Sequence, residues 1–567
     1  MADHRRMAKP KKPNSSETPN RREFIKTSGK VAGASALAGV AIPHVHANVN
    51  DTVKVALVGA GGRGTGAASN ALSVSAGHGP TKLVAAADIF EDKLKSSLNG
   101  LSKKHKEKVD LGKTGKNGLP ERAYIGFEAY KEAISNLDKG DVAIFTTPPA
   151  FRWVFYKYAV ERGVNVFMEK PVTADGYGTK QILEINKMAK QKNLKVGVGL
   201  MCRHSRARGA MADKIQEGAV GDVVLMRSYR MHGPVASARS IPQKLRNEYK
   251  DLEEIRWQIR RFHSFIWASG GCFNDYYIHN IDECCWMKAA AMGDPEHTGG
   301  DALNVMGSLD KWTWPIMAQA TGGKHFTKNR QGQPYVDQNF DNYSVEYTYA
   351  DGTKLMHYGR TIEGCHNEFA SYIHGTKGFG TFSKNGHWPA PSALYSGLTP
   401  NPKNETWKFP ARETNPYQDE WEDLLDAIRN DKPYNEAERG ALALGDDLEH
   451  GAFSGGEHHD LHDRFTIDRV ACVRDLDRRL ELGCRIDKCH RRPCVEAQLI
   501  LDGHERLHWF SIPWMIPPTG LLSSRSCGRP LRRGPTSAGL TPDGLLVMVV
   551  SFARQLTPGR PATVKGR

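Results

Sequence analysis

The sequence predicts an α/β fold, in which an N-terminal doubly wound parallel sheet is followed by a C-terminal α+β domain with a large, mostly antiparallel open sheet. Three observations favour it: an apolar strand that runs into a glycine-rich turn, repeated alternation of strands and helices, and aromatic strand patterns in the second half. The chain has 567 residues, 39% hydrophobic and 25% charged. This length allows roughly two to four domains, and the composition is that of a soluble protein.

The net charge of +15 raises the question of a nucleic-acid partner. A groove that follows phosphates needs a stripe of basic residues with interleaved aromatic side chains, and the sequence has no such stripe. We therefore expect no nucleic-acid partner. The ten Cys are also too few for a disulfide scaffold in a chain of this length.

The first 47 residues have the organisation of an export signal. The pair Arg21-Arg22 precedes a weakly apolar stretch, residues 31–42, and a small residue, Ala47. This order resembles a twin-arginine signal peptide over residues 1–47, cleaved near Ala47, and it predicts a periplasmic protein with the twin-arginine export machinery as a partner. The apolar stretch is shorter than the ~20 residues of a membrane span, so no stable span is expected. The alternative interpretation is a disordered basic tail.

A short apolar strand, Val53–Val58, runs straight into a Gly-x-Gly-x-x-Gly turn and a helix of small residues. In dinucleotide-binding motifs the first glycine permits a tight turn, the second lets the backbone approach a pyrophosphate, and the third lets the helix pack on the strand. The amides and dipole of the helix N-terminus attract phosphate. The predicted cofactor-binding residues of this turn are Gly59, Gly61, Gly62, Arg63 and Gly64. The alternative is a glycine loop that binds nothing.

The next apolar strand supports the dinucleotide interpretation because it ends in an acid. Residues 83–87 are followed by Asp88, at about the spacing of the acid that hydrogen-bonds an adenosine ribose. A carboxylate at this position repels a 2′-phosphate, so the predicted cofactor is NAD, with NADP less favoured.

Strands and helices continue to alternate, which predicts that residues 48–203 form an NAD-binding Rossmann domain. Ligands of such a sheet bind at the carboxyl ends of its strands, and two further strands end in polar residues. The cofactor-binding residues predicted at these ends are Thr146, Thr147 and Pro148 after one strand, and Glu169 and Lys170 after the next.

Two motifs carry a family resemblance. Glu169-Lys170-Pro171 and the segment 270–282, with the pattern Gly-Gly-x(3)-Asp-x(3)-His-x(2)-Asp, resemble the Gfo/Idh/MocA family, named for glucose-fructose oxidoreductase and inositol dehydrogenase. The resemblance covers roughly residues 50–444. It implies a nicotinamide-dependent enzyme acting on a sugar, cyclitol or polyol, a substrate and oligomerisation domain over residues 204–445, and a homo-oligomer. It also assigns catalytic duties to Lys170, Asp275 and His279.

The residue types suit these duties. On a helix, Asp275 and His279 share a face, with Asp282 one turn further on. A neighbouring carboxylate would orient the imidazole and favour its protonated form, which suits a base that takes a hydroxyl proton while hydride leaves the same carbon. Lys170 would stabilise the developing alkoxide. Which group is the immediate base stays open, since the three would titrate as a coupled set.

Three further residues are predicted to contact substrate. They are Arg203 and His204, which follow the last parallel strand, and Asp282. A surface role is the alternative for the first two. The sequence departs from the family after Pro148, where relatives often carry a His in the first turn of the next helix and this chain has Phe151-Arg152-Trp153-Val154-Phe155.

The composition changes abruptly near residue 445, because residues 446–567 contain two Lys against sixteen Arg. We expect an atypical, poorly ordered tail, and the change suggests a shift of the reading frame near Leu444. The tail has candidate zinc ligands, but neither group has the spacing of a structural zinc site, and no metal is predicted. These groups are His458, His459 and His462, and Cys484, Cys489, His490 and Cys494.

Together these patterns predict an exported NAD-dependent oxidoreductase that transfers hydride between a sugar, cyclitol or related polyol and a nicotinamide cofactor. One alternative is an NAD-dependent glycosidase that oxidises a ring carbon transiently and eliminates the leaving group. The other is a non-catalytic dinucleotide-binding protein on the same scaffold.

Overall fold

The structure, a computed structural model, describes most of the chain between residues 51 and 443. It describes residues 51–443 apart from 116, 248–250, 294–314 and 316, together with His46, Asn48 and three short strands beyond residue 499. The chain divides into two units, and residues 456–544 are the smaller one. Its described part is one antiparallel pair, Ile500–Leu501 with Leu507–His508.

Six parallel strands form the first sheet. They are β1 (Val53–Val58), β2 (Thr81–Asp88), β3 (Ala123–Ile125), β4 (Val142–Phe145), β5 (Asn165–Met168) and β6 (Val196–Val198). Their order across the sheet is β3-β2-β1-β4-β5-β6. The central strands are buried almost throughout, as expected where helices cover both faces. The predicted doubly wound parallel sheet is confirmed.

Five helices connect these strands. They are α1 (Gly62–Leu72), α2 (Glu91–His105), α3 (Ala129–Ser135), α4 (Arg152–Arg162) and α5 (Gly176–Gln191). The strand order reverses between β1 and β4, so a crevice opens at the carboxyl ends of these two strands, where dinucleotides bind in doubly wound folds. Gly59 follows β1 and Thr146 follows β4, and the amide of Thr146 donates to Val58 O.

The second sheet is mostly antiparallel, which confirms the predicted architecture. Its strands are β7 (Val223–His232), β8 (Met317–Gly323), β9 (Asn342–Thr348), β10 (Lys354–Thr361), β11 (Glu368–Gly375), β12 (Gly378–Lys384), β13 (Ala393–Ser396), β14 (Glu405–Lys408) and β17 (Leu546–Val550), where β15 and β16 are the pair in the smaller unit. The order is β14-β13-β12-β11-β7-β10-β9-β8-β17, and only the β7–β10 pairing is parallel.

Helices of the second half lie on this sheet and beside the first. They are α6 (Arg206–Gln216), α7 (Glu254–Arg260), α8 (Ile266–Ser269), α9 (Ile278–Ala291), α10 (Pro416–Arg429) and α11 (Ala437–Leu442). Helix α9 packs on the sheet through Ile281, Cys284 and Trp286. Among the aromatic residues of the second half, Tyr347 and Tyr349 are buried in the same core, whereas Trp312 and Trp314 lie outside the described residues.

The last two helices return to the first domain, although the predicted boundary placed them in the second. Trp421 of α10 packs against Phe167 of β5, with ring centroids 4.5 Å apart, and Ala437 and Ala441 of α11 pack on the core beside β6. Asn435 also forms a parallel bridge with Val196 at the edge of the sheet. The first domain is therefore built from two separate stretches of chain.

Several predictions lie outside the described residues. They concern the signal peptide over residues 1–47, the frame change near Leu444 and the candidate zinc ligands of the tail. Among the helices that the structure does describe, none combines the length and the apolar character that a bilayer span requires. The homo-oligomer stays a prediction.

Candidate active site

The glycine turn after β1 is closed on one side and open on the other. Gly59 has a φ of +98°, and a Cβ there would lie 2.7 Å from the amide nitrogen of Thr147. A Cβ on Gly64 would lie 2.0 Å from Gly59 O, so α1 packs directly on the turn. Added Cβ atoms on Gly61 and Gly62 would meet no atom within 4 Å. The turn thus presents bare backbone to the crevice.

The open side of the turn fits a pyrophosphate. Helix α1 begins at Gly62, its first turn has no acidic residue, and no side chain caps it. Its free amides and dipole therefore favour an anion, and the empty space at Gly61 is what a close phosphate approach needs.

Asp88 fastens this turn to the end of β2. Its Oδ2 accepts from the amide of Ala60 at 2.6 Å and its Oδ1 from the amide of Phe90 at 2.8 Å. Burial raises the pKa of the carboxyl, and the amide hydrogen bonds and Lys93 partly oppose the rise. Asp88 is where the sequence predicted it, at the strand end beside the glycine turn, and its contact with a ribose stays a prediction.

Three predicted cofactor contacts use their side chains within the protein. Arg63 pairs with Glu169 and Glu420 and lies over the ring of Tyr417, 4.6 Å from its centroid. The hydroxyl of Thr146 donates to Gly59 O. These side chains shape the floor of the crevice, and contact of Arg63, Thr146 or Glu169 with a cofactor stays a prediction. Thr147 and Pro148 follow at the same strand end, and the buried Oγ1 of Thr147 has no hydrogen-bond partner among the described residues.

Arg152 ties the ends of β4 and β5 together. Its buried guanidinium donates to the carbonyl oxygens of Thr147, Glu169 and Pro171. Burial lowers its pKa to about 10. The sequence analysis noted this segment only as a departure from the family. The structure shows that Arg152 holds the backbone on both sides of Lys170.

Lys170 and Asp275 meet across the two domains. The Lys170 ammonium lies 3.2 Å from Asp275 Oδ1 and also donates to the Asp275 carbonyl oxygen. Asp275 is in a π-helical turn, Phe273–Tyr277, that leads into α9. The side chain of Lys170 keeps 18% exposure and that of Asp275 keeps 9%, so the pair remains accessible to a small ligand.

A histidine that the sequence analysis did not single out extends this pair. His263 Nε2 lies 3.6 Å from Asp275 Oδ2, and its Nδ1 lies 2.7 Å from the hydroxyl oxygen of Ser237. Burial lowers the pKa of His263, and Asp275 opposes that shift. Lys170, Asp275, His263 and Ser237 form a polar chain, in which the 3.6 Å step between Asp275 and His263 is longer than a hydrogen bond. Positions 237 and 263 have no short-range motif, so the sequence carried no signal for them.

His279 occupies the first turn of α9 and is buried, with 4% exposure. The prediction that a neighbouring carboxylate favours its protonated form is wrong. Burial lowers the pKa of His279 well below its usual value, and the charges of Lys170 and Arg230 lower it further. Burial and both charges therefore favour the neutral imidazole.

Two side chains from distant parts of the chain join His279. The imidazole of His387 lies edge-on to that of His279, with ring centroids 4.3 Å apart, and Cys202 Sγ lies 3.7 Å from His387 Nδ1. Burial raises the pKa of the Cys202 thiol to about 12. Arg230 lies over the ring of Phe369, 4.1 Å from its centroid, and its Nε has no hydrogen-bond partner in the described part of the chain. We call Cys202, His279, His387 and Arg230 the open cluster.

The residues predicted to contact substrate are instead paired with buried partners. Arg203 holds both carboxylate oxygens of Asp282 at 2.8 Å. His204 lies 2.9 Å from Asp423 and 3.4 Å from Glu436. Burial alone would lower the pKa of His204, but these carboxylates raise it to about 9. The side chains of Arg203, His204 and Asp282 are 0–4% exposed, so their predicted substrate contact has no support in this geometry.

Comparisons with known proteins give one family match. Residues 53–200 match a family model described as the oxidoreductase family (Gfo/Idh/MocA), NAD-binding Rossmann fold. The comparison with curated proteins found no match.

Three enzymes are among the solved structures whose fold is similar to that of this chain. Aldose-aldose oxidoreductase from Caulobacter crescentus, complexed with glycerol, has a TM-score of 0.48 at 15% identity, over 70% of this chain and 95% of its own. Levoglucosan dehydrogenase in complex with NADH and levoglucosan has a TM-score of 0.47 at 16% identity, over 70% of this chain and 97% of its own. Myo-inositol 2-dehydrogenase from Lactobacillus plantarum has a TM-score of 0.45 at 18% identity, over 70% of this chain and 94% of its own.

The family match covers the strand, the glycine turn, Asp88 and the Lys170 segment described above. Residues 53–200 of this chain are therefore similar to the NAD-binding Rossmann domain of the Gfo/Idh/MocA oxidoreductase family.

Proposed function

We propose that the protein is an exported NAD-dependent oxidoreductase that transfers hydride between a sugar, cyclitol or related polyol and nicotinamide. The observation that carries the proposal is the meeting of Lys170 and Asp275 beside the open glycine turn. Bound NAD supplies the hydride acceptor. The open backbone at Gly61 and the N-terminus of α1 would hold its pyrophosphate, and Asp88 would hold its adenosine ribose.

Lys170 acts at the reacting oxygen. Arg152 fixes the backbone on both sides of Lys170, and Asp275 holds the Lys170 ammonium. A fixed cation stabilises the negative charge that develops on a carbinol oxygen as hydride leaves the carbon. Because Lys170 keeps its own proton as this cation, the hydroxyl proton passes to the Asp275 carboxylate or to the imidazole of His263 beyond it, which hydrogen-bonds the Ser237 hydroxyl.

A panel of sugars, cyclitols and polyols tests the reaction. Purified protein is incubated with each compound and NAD, and absorbance of reduced nicotinamide is followed while bound cofactor is assayed separately. We expect reduction with at least one member of the panel. Bound cofactor with no reduction by any polyol contradicts the proposal, and release of an aglycone without net NADH indicates the glycosidase instead.

Replacement of the arginine pair tests export. We expect the wild-type chain to be recovered outside the cytoplasm without its first residues, and the variant Arg21→Lys/Arg22→Lys to remain inside at full length. Intact-mass measurement of the two cell fractions reads the result. Unchanged processing of the variant contradicts a twin-arginine signal.

A further inference from the structure

Three side chains with metal-binding atoms converge beside the proposed reaction centre. Cys202 comes from the turn after β6, His279 from the start of α9, and His387 from the loop after β12. Their three ligand atoms, one sulfur and one nitrogen of each imidazole, all lie within 4.8 Å of one another. The proposed hydride transfer makes no use of Cys202 or His387.

The spacing is close to that of a tetrahedral zinc site. Zinc–sulfur and zinc–nitrogen bonds of about 2.3 and 2.05 Å place sulfur and nitrogen ligands about 3.5 Å apart. Cys202 Sγ and His387 Nδ1 are already 3.7 Å apart. The third ligand atom, on His279, lies within 4.8 Å of the other two.

The burial of the cluster supports a ligand. Cys202 has 1% exposure and His279 has 4%, and Nδ1 of His279 has no hydrogen-bond partner among the described residues. A buried polar atom without a partner costs about 1–3 kcal/mol. Coordination of a metal ion is a way to recover that cost.

The surrounding charges permit a cation. Three positive groups near the cluster have carboxylate partners: Arg208 with Glu283, Arg203 with Asp282, and Lys170 with Asp275. Arg230 forms no salt bridge within the part of the chain that the structure describes. A divalent ion with one thiolate and two neutral imidazoles carries one net positive charge, so this charge and Arg230 together favour an anionic oxygen as the fourth ligand.

We propose that Cys202, His279 and His387 bind a zinc ion and leave its fourth position open to an oxygen ligand. Three protein ligands with an open position are the pattern of catalytic zinc sites, and the mixture of one thiolate and two imidazoles favours zinc over calcium or magnesium. A substrate hydroxyl in that position would lose its proton more easily. This role in the reaction rests on the proposed function, whereas zinc binding does not.

Metal content of the full-length protein tests the site. We expect roughly one zinc ion per chain by mass spectrometry of the purified protein, and loss of that ion in Cys202→Ser and in His387→Ala. Cys365→Ser is the matched control, because Cys365 is a free, exposed cysteine. It should retain the zinc. A folded wild-type protein that binds no zinc overturns the proposal, and so does full zinc retention in Cys202→Ser.

Cobalt(II) substitution gives a second readout that does not depend on the variants folding. We expect the visible bands of tetrahedral cobalt and a thiolate-to-cobalt charge-transfer band in the wild-type protein, both retained in Cys365→Ser. An octahedral spectrum without the charge-transfer band overturns the site. NAD binding and polyol oxidation are assayed on the same samples, so loss of zinc is separated from failure of the proposed function.

Discussion

Two neighbouring regions of the molecule use the same residue types in opposite ways. The paired region, whose pairs are Arg203 with Asp282, His204 with Asp423 and Glu436, and Arg208 with Glu283, matches every buried charge with an opposite one. The open cluster lies beside it, yet its groups form no salt bridge within the part of the chain that the structure describes. Cys202 is adjacent to Arg203, and His279 is three residues from Asp282. Carboxylate partners therefore fix the cations of the paired region, whereas the groups of the open cluster are left for the ligand proposed above.

The largest expected effect is that of Lys170→Met. It removes the cation at the reacting oxygen, so kcat should fall by at least about 10³-fold while NAD affinity and thermal stability change little. Lys187→Met is the control, since Lys187 forms only an exposed pair with Glu184. Steady-state kinetics and thermal unfolding give the two readouts. Wild-type kcat in Lys170→Met would remove Lys170 from the chemistry.

Arg208→Met and Arg230→Met compare the two regions directly. Loss of Arg208 leaves Glu283 buried without its cation, and the free energy of unfolding should fall by about 3–5 kcal/mol. Arg230 has no such partner among the described residues, so its removal should cost less than about 1 kcal/mol and should instead raise KM. Denaturant unfolding measures the free energy of unfolding of both variants. Equal destabilisation by the two variants would abolish the distinction.

The glycine turn offers the same contrast between open and filled space. A valine at Gly61, where φ is −72° and no atom lies within 4 Å of an added Cβ, should leave folding intact but weaken NAD binding by about 100-fold, or about 2.7 kcal/mol. Gly64→Ala should destabilise the protein, since its Cβ would meet Gly59 O at 2.0 Å. Calorimetric titration measures the NAD affinity of Gly61→Val, and thermal unfolding measures the stability of both variants. Unchanged NAD affinity in Gly61→Val argues against the phosphate site.

His204 should make stability depend on pH. Its pKa is raised to about 9, so its contribution is present in full below the unfolded pKa of about 6.5 and is lost as pH rises through about 9. The loss is about 3 kcal/mol at most, and His204→Gln should flatten this part of the profile. Unfolding measured at intervals from pH 6 to pH 10 gives the comparison, and identical slopes for the two proteins contradict the pairing.

Local sequence patterns predicted the first sheet and its glycine turn, because strand periodicity and glycine spacing act over short stretches of chain. Two motifs also identified Lys170 and Asp275 as candidate catalytic residues. They did not find His263, or the partnership of Cys202 with His387, since these contacts join residues far apart in the chain.

The protonation of His279 was mispredicted for a similar reason. Neighbouring carboxylates are visible in the helix sequence, whereas Arg203, which engages Asp282, and Arg230, whose charge lowers the pKa of His279, come from other elements. The return of α10 and α11 to the first domain is likewise a matter of packing, and composition alone carries no sign of it.

Transfer of deuterium tests the central claim most directly. The protein is incubated with NAD and carbon-deuterated glucose or myo-inositol, and the nicotinamide is recovered and analysed by mass spectrometry. The account predicts deuterium on the nicotinamide ring with wild-type protein and its absence with Lys170→Met, although both bind NAD. Equal deuterium transfer by the two proteins, or none by a wild-type protein that holds NAD with every polyol supplied, would contradict it.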